Sequence, residues 1–224
     1  MNYLQLCQRL RLEVGASGDD STVVSASGEW LRLCTWVNQS WIEIQQLYPD
    51  WDWMRVEKTF NTIANQAEYD YDAAPLSLTD FARWLDCSFR IYYNDVGDEH
   101  LLQQMDYRAF RDEYLISTHK TTYSYPSVIT VSPSDSLILA LPPNDVYTVT
   151  GVYYKTPSEL TSNTDSPDMP ERYHMLIVYR AMQEYGMYEA AQEVIQRGAS
   201  RYSEMLNKLM NDELPYISVD RGFC

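Results

Sequence analysis

Residues 28–54 read GEWLRLCTWVNQSWIEIQQLYPDWDWM, and within them the rhythm of the chain changes. Trp30, Leu33, Cys34, Val37, Trp41 and Ile44 recur at steps of three and four, drawing one apolar stripe along a helix from about Glu29 to Leu47. Pro49 stops that helix, because its ring removes an amide donor and clashes with the preceding turn. The heptapeptide that follows, YPDWDWM at 48–54, interleaves two Trp with two Asp. Aromatics alternating with carboxylates suit a sugar-binding platform or a glycosidase site. They equally suit a structural corner, with Trp51 and Trp53 as packing anchors and Asp50 and Asp52 facing water. The corner is preferred, since an acidic chain rich in Tyr and Trp yields such neighbours by chance.

Upstream of this stretch, Leu6, Leu10 and Val14 with Tyr3 and Cys7 share one face of a helix over 2–14, which Gly15 ends. Residues 15–28 read as loop, with a brief strand at the TVV of 22–24. Downstream, the period shifts toward two. RVEKTFNTI (55–63) and AEYDY (67–71) predict two short strands across a turn at ANQ. In the second, Tyr69 and Tyr71 share one face while Glu68, Asp70 and Asp72 share the other. Residues 77–93 alternate only in their second half. A helix is expected over 98–118, burying Leu101, Leu102, Met105, Phe110 and Leu115. Three β-rich runs, 128–132, 136–141 and 146–154, are punctuated by Ser-Pro-Ser-Asp and Pro-Pro-Asn-Asp turns and predict an antiparallel sheet. A loop at 162–171 leads to a helix that Asp168 can cap, with Pro170 in its first turn and Glu171 placed as in a capping box. That helix should run to about Tyr185 and break or bend at Gly186. A last helix over about 188–212 carries Ala191, Val194, Ile195, Tyr202, Leu206 and Leu209, and Pro215 ends it.

These readings give an α+β fold: an amphipathic helix bundle from residues 1–54 and 159–214, an inserted antiparallel β-rich domain with one helix over 55–158, and an extended tail over 215–224. The composition narrows the function. The net charge of −15 argues against sequence-general DNA binding, because affinity for phosphates rests on Lys and Arg. The 19 Tyr and 6 Trp exceed what a core alone needs and favour burial between proteins. No run of about 18 apolar residues predicts a membrane span. The N-terminal pattern is interrupted by Arg9, Arg11 and Glu13, so it is not a signal peptide, and synthesis in a cytoplasm is expected. Cys7, Cys34, Cys87 and Cys224 form no CxxC, which argues against zinc and against a disulfide framework; reduced thiols are expected.

No phosphate-binding, dinucleotide-binding, serine-hydrolase or zinc-protease motif occurs. His100, His119 and His174 stand apart, without metal-ligand spacing. The acids available for glycoside hydrolysis, Asp50, Asp52, Glu68, Asp70 and Asp72, are explained as well by solvated faces. No catalytic residue, metal or cofactor is therefore assigned. The tail PYISVDRGFC carries Tyr216, Ile217, Val219, Arg221 and Phe223 beyond a firm proline stop. It is read either as a frayed end or as a segment that adds to a partner's sheet or groove.

Two stretches together resemble the adaptor, or head–tail connector, proteins of tailed bacteriophages, the group typified by the adaptor of phage SU10. One is residues 28–54, a helix with W-V-N-x-x-W-x-x-I running into P-D-W-x-W. The other is VYTVTGVYYKTPSELTSNTDSPDMPERYHMLIVYRAM, residues 146–182, where a strand ends in Y-Y-x-x-P-x-x-L and D-x-P-x-x-P-E enters a helix. Such adaptors also place a helix with Leu and Phe at the spacing of Leu102 and Phe110 between them. The resemblance implies a virion structural protein at the head–tail junction, not an enzyme: a ring of twelve copies that docks on the portal protein. The ring would extend the DNA channel without sequence-specific contact and carry tail or nozzle proteins, with tail fibres as further partners. In many adaptors a C-terminal segment enters the portal, and residues 215–224 would be its counterpart. The alternative is a carbohydrate- or receptor-binding tail module; a glycosidase is the third reading.

Overall fold

The computed structural model describes residues 1–17, 21–116 and 122–214. The described residues divide into two compact units, one built from Met1–Met54 and residues 157–214, the other from Arg55–Thr156. The class is α+β, with five α-helices and two sheets among the described residues.

The helical unit starts with α1 (Tyr3–Val14). Asn2 and Gln5 close a reciprocal capping box at its start, and Gly15 ends it at φ 71°, a left-handed conformation that costs glycine little. Helix α2 (Gly28–Leu47) buries all six residues of its predicted stripe. Residues 22–24 form no strand. Helix α4 (Met175–Tyr188) packs against α1, α2 and α5 (Gln192–Glu213), burying Leu176, Ile177, Val178, Ala181 and Met182. Asp168 does not cap it. A 3-10 turn, Glu171–Tyr173, precedes α4, and no side chain caps either element. Pro170 is the residue before that turn, with the fixed φ that suits an approach to a helix.

Gly186 was expected to break the helix, yet α4 runs through it. The residue is buried because α5 needs the space: a Cβ there would lie 2.6 Å from Ile195 Cγ1 and 3.2 Å from the Ala191 carbonyl oxygen. Gly198 on α5 returns the contact, its missing Cβ lying 3.0 Å from the Tyr179 carbonyl oxygen. Glycine at these two sites is a packing choice. Cys7 and Cys34 are free, buried thiols at the α1–α2 contact. Cys87 is disulfide-bonded, so the expectation of reduced thiols holds for that pair and fails there.

In the second unit, β9 (Thr148–Lys155) is the central strand. Along one edge it pairs antiparallel with β1 (Arg55–Asn61), from Arg55 opposite Tyr154 to Asn61 opposite Thr148. Its other edge carries β3 (Phe81–Trp84) and then β4 (Arg90–Tyr92), to which β5 (His100–Leu101) adds. A second sheet runs β2 (Glu68–Tyr69), β8 (Leu137–Leu139), β7 (Val128–Val131) and β6 (Gln103–Gln104). The β6–β7 pair is parallel, an exception to the antiparallel expectation.

The two sheets meet over one core of Phe60, Tyr69, Trp84, Ile91, Ile129, Leu137 and Val149. Helix α3 (Tyr107–Tyr114) covers the other face of the second sheet, setting Phe110 against Val128 and Ile138. Burial on both faces explains why β7 and β8 read as continuous apolar runs.

Two expectations fail in this unit. Strands β1 and β2 are not hairpin partners. The Tyr69 hydroxyl accepts from the Ile63 N–H (3.1 Å) and donates to the Gln66 carbonyl (2.6 Å), folding the link on itself and sending the strands to different sheets. The helix expected over 98–118 shrinks to α3, because Asp106 caps it through the amides of Arg108 and Ala109. Upstream, Leu101 is 70 % exposed on β5, while Leu102 is buried with its amide bonded to the Phe89 carbonyl. Leu102 and Phe110 therefore do not share a helix.

The α4–α5 contact yields a direct test. Gly186→Ala should lower the unfolding free energy in urea by about 1–3 kcal/mol, outweighing an intrinsic helix gain of about 1 kcal/mol. In the Ile195→Ala background, which removes the clashing Cγ1, the same change should cost less. Equal cost in both backgrounds would refute the clash.

Candidate interaction surfaces

The aromatic corner is closed. Trp51 is fully buried and its indole N–H donates to the Ile44 carbonyl at 3.0 Å. Trp53 stacks on it at 4.3 Å between ring centroids with an interplanar angle of 22°, and Tyr48 meets it edge-on at 5.3 Å. The link Trp51–Ile44 ties the corner back to the last turn of α2 and covers a carbonyl that the helix end leaves without an internal partner. A sugar platform needs an open ring face, and Trp51 has none. Of the two acids, Asp52 is exposed and Asp50 half-buried.

Of the remaining hydrolysis candidates, Asp70 has a structural partner. Glu68 and Asp72 are exposed. Asp70 accepts from Ser136 Oγ at 2.7 Å, which joins β2 to the serine-rich turn where the Ser132 and Ser134 hydroxyls lie 2.8 Å apart. Among the described residues, no group of three His, Cys, Asp or Glu could hold a metal ion. No described helix is long and apolar enough to cross a membrane. His119 lies outside the described residues.

His174, which the sequence left as an isolated residue, sits in a polar knot. It is buried; its Nδ1 lies 2.7 Å from the Met1 ammonium and its Nε2 lies 3.0 Å from the Met169 carbonyl oxygen. The same ammonium donates to Glu171 at 3.0 Å, and the Tyr3 amide bonds the Asp165 carbonyl at 2.7 Å. These contacts fix the start of α1 to the approach of α4. Glu171, expected in a capping box, serves the N-terminus instead. Its carboxyl is held below the usual range by the ammonium.

At the far end of the same approach, Arg172 pairs with Asp212 (3.1 Å) and Glu213 (3.5 Å), while the Tyr173 hydroxyl donates to Asp212. Burial pushes the Glu213 carboxyl up, and the Arg172 guanidinium opposes that shift. The last turn of α5 is thereby clamped, and the chain leaves Leu214 from a fixed point. The expected contact residues Tyr216, Ile217, Val219, Arg221 and Phe223 lie outside the described residues.

One aromatic face of the helical unit was missed by the sequence reading. Trp36 on α2 meets Tyr185 at 6.1 Å and Tyr188 at 5.6 Å on α4, and the Arg32 guanidinium lies 4.8 Å over the Tyr188 ring while donating to its hydroxyl at 2.8 Å. Leu31, Met187 and Tyr188 beside it are exposed. Trp36 falls outside the buried stripe of α2, and that offset was the available signal. Such Trp–Tyr–Arg groups are typical anchors of protein interfaces.

Two predictions follow from this geometry. Trp51→Ala should cost about 3–5 kcal/mol in urea unfolding, because the corner loses both its stacking partner and its bond to Ile44. An unchanged midpoint would return the corner to the sugar-platform reading. Burial chiefly, with repulsion from the Met1 ammonium, holds His174 below its ordinary value. The unfolded chain therefore takes up this proton first, near pH 6.5. Stability is complete above that value and is lost as pH falls from about 6.5 toward the folded value, a window above the carboxylates. His174→Gln should flatten the unfolding free energy between about pH 7 and pH 5; an unchanged slope would remove His174 as the cause.

No curated protein matches this chain significantly. The family model described as SU10 adaptor protein matches residues 1–221. The chain belongs to that family; it is a bacteriophage adaptor protein with a structural role in the virion.

Proposed function

We propose that this chain is the head-to-tail adaptor of its phage. Copies dock on the portal protein, close into a ring of twelve at the head–tail junction, extend the DNA channel and carry the tail or nozzle proteins. The observation that carries this reading is the family match over residues 1–221, which spans both units. The protein acts by association and performs no catalysis. Two features of the acidic, aromatic stretches support the scaffold reading: the corner tryptophans stack on each other, and Asp70 holds a turn.

Two further features fit. The clamp of Arg172 and Tyr173 on Asp212 sends the segment after Leu214 from a rigid origin. Tyr216, Ile217, Val219, Arg221 and Phe223 are the residues we propose to contact the portal, by adding to a sheet or groove of that partner. The net charge of −15 keeps phosphates from adhering to the wall of a conduit through which DNA slides.

Native mass spectrometry of the purified chain, alone and mixed with portal protein from the same phage, tests the proposal. A portal complex carrying about twelve copies is expected, and truncation after Leu214 should abolish it. Absence of any complex with portal would overturn the adaptor-ring reading.

A further inference from the structure

At one end of the sheet unit, four segments meet: 62–67 after β1, 93–99 between β4 and β5, 122–126, and 140–147 between β8 and β9. Hydrogen bonds tie them together. The Tyr93 hydroxyl donates to Asp145 at 2.8 Å, the Thr62 amide bonds the Tyr147 carbonyl at 2.8 Å, and the Asn144 amide bonds the Ser124 carbonyl at 3.3 Å. Beneath lies an aromatic floor, with Tyr147 5.2 Å from Tyr93 and 5.1 Å from Tyr125, and His100 at 6.4 Å from Tyr125. The rim is apolar and open: Ile63, Tyr93, Val96, Leu101 and Val146 are all exposed, Val96 and Leu101 by 63 % and 70 %.

An exposed apolar rim on rigid aromatic support is the anatomy of a docking surface rather than of a solvated loop end. Charge names the class of partner. These segments, extended through Leu101, contain Asp95, Asp98, Glu99 and Asp145 and no Lys or Arg. The nearby Arg90 is engaged by Glu99 at 3.2 Å. Nucleic acid would be repelled.

We propose that this end of the sheet unit docks a basic, apolar surface of another protein of the head–tail junction. The inference rests on the adaptor reading for the origin of that partner. Apolar groups of the partner cover Val96, Leu101 and Val146, and its Lys or Arg side chains meet Asp98 and Asp145. Such a contact weakens with salt, because its charges lie at the rim.

The test measures binding of the full chain to the purified portal protein and to each purified tail-junction protein of the same phage, at low and high salt. One of them should bind the wild type in a salt-sensitive manner. Val96→Ser with Leu101→Ser should weaken that binding by at least about tenfold, and Asp98→Lys should both weaken it and reduce its salt dependence. All three side chains are exposed, so unfolding midpoints should not move. Wild-type affinity in both variants, with portal binding intact, would overturn this proposal alone. Loss of self-association, with every heterologous partner still bound, would overturn it in favour of contacts between copies. If the wild type binds no junction protein, this proposal and the adaptor reading both fall.

Discussion

Helix α4 must be buried on three sides, and that requirement organises its unit. It packs on α1, α2 and α5 at once, so its sequence, MLIVYRAMQEYGMY, carries too many apolar residues for a one-sided stripe. Three consecutive residues, Leu176, Ile177 and Val178, are buried, which only a helix enclosed by neighbours can satisfy. The enclosing helices then follow from local constraints. Gly186 and Gly198 let α5 approach α4 at backbone distance, and the Met1–His174–Glu171 knot seats α1 beside the helix start. Arg180 adds a polar tie to α2 by donating from Nε to Glu43 at 2.8 Å.

The sheet unit has an equivalent in β9, the strand that every first-sheet neighbour except β5 pairs with directly. Its partners lie before residue 93 in the chain, so their register is set by contacts across long stretches of sequence. That dependence limits what a local pattern can reveal. The stripe of α2 could be read because all its information lies within one helix. The hairpin expected of β1 and β2 failed because the decisive bonds belong to Tyr69, whose hydroxyl reorganises the link. Strands of two residues, such as β5 and β6, are too short to show a period at all, and a run mixing Leu101, Leu102 and Met105 looked helical by spacing alone. Gly186 was misread for a related reason: sequence shows the absence of a side chain but not the neighbour that requires it.

The candidate surfaces divide along the same line. Trp51 and Trp53 lie beside two local signals, a proline stop and a change of period. The face formed by Trp36, Tyr185, Tyr188 and Arg32 joins residues far apart in the chain. So does the loop end of the sheet unit, where Val96 and Val146 become neighbours of Tyr93 only through the fold.

The surplus of tyrosine acquires a second meaning in this light. With 32 acidic and 17 basic residues, the chain cannot give every carboxylate a cation. Phenols add to the supply: Tyr93 donates to Asp145 and Tyr153 to Asp80, while Tyr173 joins Arg172 on Asp212. For Tyr153, burial first and Asp80 second push the phenol up to about 12, so it stays a donor at any physiological pH. A neutral donor on a carboxylate gives a charge-assisted bond without an ion pair, and salt screens it far less than it screens opposite charges. These three bonds therefore change little with ionic strength. Charges exposed at the surface are screened more strongly, so salt acts on contacts made there before it reaches these bonds.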